Sequence, residues 1–245
     1  SLFRLMSKST FKTNPVRLKE LLQHCEQGKI QLPDFQRSWV WAEDRILSLI
    51  ASISQAFPIG ALMTLSSKAG STDVFARRPV QGCPASAAHM IPDELLLDGQ
   101  QRMTSLFQSC LRQDVVETIT PKRKLVKRWF YIDMPKALQA DSDRDDAIFS
   151  VPEDRRLKEN FDKDIKLDLS SAELEYEQFM FPLNRVFDWD HWREGFEDYW
   201  IAKGQIEKRE LFRRFKNEVL ENFNSYDVPV ITLAHDTSHA AVCLV

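Results

Sequence analysis

The chain has 245 residues, of which 43% are hydrophobic and 28% charged, and its formal net charge is -3. That length buries a proper core as one large domain or two small ones, and the balance excludes a disordered chain. A slightly acidic protein has no global pull toward nucleic acid, so any such contact must come from a local basic patch.

Taken in chain order, a first helix is expected with Asn14 as N-cap and Pro15 at its first position. Leu18, Leu21, Leu22 and Cys25 mark one face, and Gly28 is placed to end it. Ile30 to Leu32 reads as a short strand leading into Pro33-Asp34-Phe35-Gln36-Arg37-Ser38-Trp39-Val40-Trp41. A helix from about Ala42 to Phe57 follows, with Ile46, Leu49, Ile50 and Ile53 inward and Pro58 as its stop. Gly60 to Leu65 is a candidate strand, and Ser66 to Met90, rich in Ser, Ala, Gly and Pro, reads as a long loop. Leu95 to Leu97 form an apolar strand, after which Met103, Leu106, Phe107 and Cys110 recur at helical spacing.

Basic residues flank the next strand, Trp129-Phe130-Tyr131-Ile132. The charged run from Pro135 to Ser171 reads as loop with one short strand near Ile148 to Val151. Trp189, Trp192, Phe196 and Trp200 line one helical face. Leu211, Phe212, Phe215, Val219 and Phe223 line a second helix from about Gln205 to Phe223, before a last strand, Val228 to Leu233. Ser238 to Val245 then begins an apolar segment that stops without a cap, so the chain is expected to be the front part of something longer. No apolar run approaches the roughly 20 residues that span a bilayer and the N-terminus lacks an apolar signal core. A cytoplasmic protein with no membrane partner is expected.

Several residue groups are chemically bland. Cys25, Cys83, Cys110 and Cys243 lie far apart without C-x-x-C spacing, and Cys25 and Cys110 read as buried thiols. No histidine pairs with a nucleophile. His235 and His239 have i, i+4 spacing but no third ligand in view, and the acids from Asp141 to Asp146 lack the glycine and closing glutamate of a calcium loop.

Asp98-Gly99-Gln100-Gln101-Arg102 is different, because it lies where the Leu95–Leu97 strand gives way to a helix. Unpaired N–H groups and the dipole favour an anion at such a helix start. Phosphoryl transfer asks mainly for positioning, charge neutralisation and an oriented water. Asp98 suits holding Mg²⁺ or orienting a nucleophile. Gln100 and Gln101 suit orienting water or capping phosphate oxygens, Arg102 suits bidentate phosphate contact, and Gly99 permits close approach or positive φ. Arg37 is expected to supply a second phosphate contact with Gln36 supporting it, the alternative being a surface arginine stacked on Trp39 or Trp41. Thr104 and Ser105 in the first helical turn are candidates to reach phosphate or metal, with plain helix-face hydroxyls the equal alternative. Phe35, Trp39 and Trp41 offer stacking faces, with core packing expected for at least two. A capped helix with Asp98 as N-cap and Arg102 on the surface is the plainer alternative. The basic run Lys122, Arg123, Lys124, Lys127 and Arg128 is a candidate DNA-backbone contact, as are Arg209, Arg213, Arg214 and Lys216.

Five segments occur in order: Leu32-Pro33-Asp34-Phe35-Gln36-Arg37, Trp39-Val40-Trp41, Phe57-Pro58-Ile59-Gly60, Leu97 through Phe107, and Tyr226-Asp227-Val228-Pro229-Val230-Ile231. Together they resemble the N-terminal domain of GmrSD-type, modification-dependent (type IV) restriction enzymes, including the similar domain of phosphorothioate-sensing defence proteins, from about residue 15 to 245. The resemblance implies an α+β fold of the ParB/sulfiredoxin superfamily, a small mixed β-sheet with packed helices plus a helical extension. It suggests a nucleotide-binding core over 1–135, a charged loop-rich insertion over 136–185, and a helical part with the final strand over 186–245. It implies binding and hydrolysis of a nucleoside triphosphate, GTP first, through the motif with Mg²⁺, coupled to cleavage of modified phage DNA by a C-terminal HNH nuclease domain. Neither that nuclease domain nor the usual F-x-x-V-N-x-x-G segment is in this sequence, so a separate chain or a removed portion is expected to carry them. A homo-oligomer is compatible. Two other functions stay open: a nuclease or nickase using the same motif, and a non-catalytic sensor of modified DNA.

Overall fold

A computed structural model describes residues 11–39, 41–67, 76–237, 239–243 and 245. Part of the expected loop over 66–90 lies outside these residues. So do Val40, the side chain of His239, and Ser238 and Leu244 of the terminal apolar run.

The strands are β1 (Phe11–Arg17), β2 (Ile30–Pro33), β3 (Leu62–Ser66), β4 (Arg77–Arg78), β5 (Glu94–Asp98), β6 (Val116–Ile119), β7 (Leu125–Asp133), β8 (Ile148–Pro152), β9 (Arg156–Glu159), β10 (Asp164–Asp168), β11 (Met180–Pro182) and β12 (Asp227–Leu233). The helices are α1 (Leu18–Glu26), α2 (Glu43–Ser54), α3 (Gln100–Leu106), α4 (Met134–Ala137), α5 (Ala172–Gln178), α6 (Asp190–Ala202), α7 (Lys208–Phe215), α8 (Glu221–Asn224) and α9 (His239–Cys243). The fold is α+β, and the chain divides into two compact units: Ser1–Ser38 with Gly60–Gln100 and Asp227–Val245, and Trp39–Ile59 with Gln101–Tyr226.

The first unit is built on a mixed six-stranded sheet of order β1-β12-β3-β5-β2-β4. β12 pairs parallel with β3 and β2 parallel with β5, and the other neighbours are antiparallel. Leu95 and Leu97, two apart in β5, share one face and pack with Leu65 and Val242. The first helix does not start where the sequence suggests. Asn14 and Pro15 do not open α1 but lie in β1, where Pro15 faces Pro229 across the ladder. β1 is an edge strand, where proline is tolerated because the missing N–H breaks no interior ladder. α1 starts at Leu18 with no side-chain cap, and buries Leu18, Leu21, Leu22 and Cys25 as their spacing requires.

Gly28 ends that helix at φ +78, and a Cβ there would sit 2.4 Å from the Ala87 carbonyl oxygen. The close approach is clasped by the buried Gln31 amide, which donates to the carbonyls of Gly28 (2.9 Å), Ala87 (3.1 Å) and Met90 (2.9 Å). The segment expected as a long loop therefore has structure over its described part. β4 pairs with β2 through Leu32↔Arg78 and Pro33↔Arg77, and Ala85–His89 forms a helical turn.

In the second unit, β7 is flanked by β6, β8 and β11, and β9 with β10 forms a separate hairpin. β8 falls where the sequence places its short strand. The rest of the expected loop is corrected: 135–171 also contains most of α4 and the whole β9–β10 hairpin. Leu157 and Leu167 of that hairpin pack against Tyr131, Val151 and Leu169. Two inward leucines among the six charged positions of the two strands carry too little alternation to read as strands. α6 and α7 bury the aromatic face legible in the sequence, with Trp192 stacked on Phe196 at 5.4 Å between ring centroids. The expected single helix over 205–223 is α7, a π-helical turn (Lys216–Leu220) and α8. No described helix is long and apolar enough to cross a membrane.

Candidate functional site

The three leucines of β5 are buried, and the strand delivers Asp98 to an exposed position at its end. Gly99 turns the chain at φ +99, a backbone region that L side chains rarely adopt, and Gln100 begins α3. Gln100 is 5% exposed. Its Nε2 donates to the Arg37 carbonyl at 2.7 Å, which fixes the amide's orientation, because the flipped form would set oxygen against oxygen. Among the described residues, its buried Oε1 has no hydrogen-bond partner.

A second glutamine works in the opposite direction. Gln36 Nε2 donates to the Leu97 carbonyl at 2.8 Å, so the loop after β2 and the turn after β5 are joined by reciprocal amide bonds. Arg78 in β4 closes the same loop from its other side. Its guanidinium donates to the carbonyls of Asp34 (3.0 Å), Gln36 (2.6 Å) and Arg37 (3.2 Å) and lies 3.5 Å from the Asp34 carboxylate. Arg37 itself is exposed, and its guanidinium has no ion-pair partner among the described residues. Phe35 beside it is 55% exposed.

The boundary between the two units falls inside the motif, between Gln100 and Gln101. In the second unit, Gln101 is buried and its carbonyl accepts from Ser105 Oγ at 2.7 Å. Ser105 Oγ also accepts from the buried Trp39 Nε1 at 2.9 Å, so this hydroxyl is engaged both as donor and as acceptor. Thr104 is fully buried with no hydrogen-bond partner for its hydroxyl among the described residues. Arg102 is half-buried and donates through Nη1 to the Ile59 carbonyl at 2.8 Å. The helix then widens into a π-helical turn, Phe107–Leu111, a departure often found beside functional residues.

The basic run is split by the structure. Lys127 lies 3.7 Å from Glu153 and Arg128 3.7 Å from Glu43, so both meet acids. Lys122, Arg123 and Lys124 sit exposed in the β6–β7 turn, without ion-pair partners among the described residues. Thr120 holds that turn: its carbonyl accepts from Arg123 N (2.8 Å), and its hydroxyl from Lys124 N (3.2 Å). In the other basic set, Arg209 faces Glu197, Arg213 pairs with Glu210, and Arg214 pairs with Glu218.

Two polar constructions were not read from the sequence. One is Arg78, hidden in a two-residue strand too short to show a period. The other is Glu175 in α5, a buried carboxylate that accepts from Tyr131 OH (2.5 Å) and Trp192 Nε1 (3.2 Å) and lies 3.4 Å from Arg155. Burial pushes its pKa up against the opposing pull of those hydrogen bonds and of Arg155. Cys25 and Cys110 are fully buried, as read, and burial raises the Cys110 thiol to about 12.

No group of three or more His, Cys, Asp or Glu able to hold a metal occurs among the described residues. A Mg²⁺ carried by a nucleotide asks the protein for only one or two carboxylates, and Asp98, exposed at the end of β5, is of that kind.

An α+β chain carrying an acid, a glycine, two glutamines and an arginine at a strand-to-helix turn defines a recognisable class. The family model for the GmrSD restriction endonuclease N-terminal domain matches residues 18–244, and the chain belongs to that family, a domain associated with DNA restriction. It is 28% identical over 222 residues to the uncharacterized protein MJ0686 of Methanocaldococcus jannaschii, covering 88% of this chain and 35% of that protein.

Proposed function

We propose that the chain is a nucleoside-triphosphate-binding and hydrolysing regulatory domain of a modification-dependent DNA restriction system. The observation that carries this reading is the Gln100 carboxamide. One of its N–H groups donates to the Arg37 carbonyl, and its oxygen is a buried acceptor without a partner among the described residues. Phosphate oxygens offer no proton to such an acceptor, whereas a water or hydroxyl does. Gln100 is therefore assigned to orient the attacking water, and the exposed Arg37 to the phosphates. Gln101 and Arg102 keep the roles their side-chain chemistry suits, capping phosphate oxygens and phosphate contact, and Gln36 holds the turn. Asp98 is the residue to hold Mg²⁺, which when bound neutralises phosphate charge. GTP is the first nucleotide to test. Ser105, engaged by Trp39 and Gln101, is assigned to support the helix.

The exposed turn of Lys122, Arg123 and Lys124 is the assigned contact to the DNA backbone, where flexible cations gain by releasing counterions. The modified DNA, an HNH-type nuclease partner and a homo-oligomeric state belong to the same reading.

Phosphate release from GTP, ATP, CTP and UTP tests it. Turnover of at least one is expected, and Gln100→Ala is expected to cut kcat by roughly 100-fold, the scale of losing one positioned polar group in a transition state. Arg102→Ala is expected to lose turnover as well. Equal turnover by Gln100→Ala would remove the water-orienting role, and nicking of plasmid DNA without nucleotide would favour the nuclease alternative.

A further inference from the structure

Residues 34–37 form an irregular loop whose carbonyls converge on one cation. Arg78 reaches three of them, those of Asp34, Gln36 and Arg37, with two nitrogens of a planar fork. The Arg37 carbonyl is shared, accepting from Arg78 Nη2 and from Gln100 Nε2. Both lone pairs of that oxygen are thus used, and the peptide that carries the Arg37 side chain has two anchors. A lysine ammonium is a compact charge on a flexible stem and does not reproduce this rigid fork.

We infer that Arg78 is a positioning residue for the nucleotide site: it fixes the backbone of Gln36 and Arg37 so that the Arg37 guanidinium is presented to the phosphates, without touching ligand itself. This inference rests on the nucleotide reading above. Pairing of β4 with β2 sets Arg77 opposite Pro33 and Arg78 opposite Leu32, at the end of β2 from which the 34–37 loop leaves.

The test is a double-mutant cycle on Mg²⁺-nucleotide affinity, using the full chain, Arg37→Ala, Arg78→Ala and the double variant. Arg78→Ala is expected to weaken binding roughly 10-fold, and the double variant to bind no worse than Arg37→Ala alone, because Arg78 acts through Arg37. Guanidinium chloride at millimolar concentration is expected to restore binding to Arg78→Ala where methylammonium does not. Arg78→Lys, the second variant should alanine fail to fold, is expected to bind as weakly as the alanine variant. Wild-type affinity in Arg78→Ala or Arg78→Lys, or fully multiplicative losses in the cycle, would overturn the inference. Hydrogen exchange over residues 34–38 without nucleotide separates this failure from failure of the nucleotide reading. Faster exchange in Arg78→Ala supports the clamp and unchanged exchange overturns it. A wild-type chain that binds no nucleotide sinks the underlying reading, and the positioning role falls with it.

Discussion

Gly28 shows how a single missing side chain holds this structure together. It sits at positive φ with the Ala87 carbonyl where a Cβ would be, and the Gln31 amide ties both carbonyls together. Gly28→Ala adds backbone strain and a steric clash that only movement of a buried turn relieves. A loss of about 2–4 kcal/mol in unfolding free energy is expected by urea titration, in the range of strained and overpacked substitutions. A loss below about 0.5 kcal/mol, the range of ordinary surface changes, would show that the turn gives way freely. Gln100 is its counterpart in the proposed site: its amide nitrogen bonds the Arg37 carbonyl, and its buried oxygen has no partner among the described residues.

At the scale of elements, the β6–β7 turn and the Glu175 network each make a separate prediction. Lys122, Arg123 and Lys124 project from a turn that Thr120 ties at both ends, while their strand neighbours Lys127 and Arg128 are met by acids. Replacing all three by alanine is expected to reduce the slope of log K against log salt for duplex DNA by about 2–3, given roughly 0.9 per phosphate contact. An unchanged slope would assign DNA contact to another surface. Glu175 anchors α5 to β7 and α6 through Tyr131 and Trp192. Its pKa is raised chiefly by burial, so the folded state holds its proton more tightly than the unfolded state does. The stability this supplies is complete below the ordinary carboxylate pKa and is lost as pH rises through the folded value. Urea midpoints of the wild type are therefore expected to fall relative to Glu175→Gln as pH rises from acid toward neutrality. Parallel curves would show that the carboxylate is ionised in the fold at no cost.

Across the whole molecule, what was legible in the sequence had a period or a sharp punctuation mark. The α1 face, the α2 face, the leucines of β5 and the aromatic stripe of α6 and α7 repeat often enough to declare their elements, and Gly28 and Gly99 mark real turns. Asn14 and Pro15 misled because the local signal for a helix start was overridden by pairing with β12, a partner over 200 residues away. The β9–β10 hairpin was missed because charged residues dominate strands with only a few inward side chains. Within the candidate site, the motif and Arg37 were readable because residue type carries their chemistry. Arg78 was not, since its role lies in three backbone carbonyls that no spacing rule brings beside it.

The measurement that bears most directly on the central claim is calorimetric titration of Mg²⁺ with GTP, ATP, CTP and UTP into the intact chain and into Arg37→Ala. At least one nucleotide is expected to bind the wild type, and Arg37→Ala to weaken it roughly 10- to 100-fold, as loss of a charged hydrogen bond to phosphate implies. Absence of binding heat from all four nucleotides, or equal affinity in the two proteins, would contradict the account.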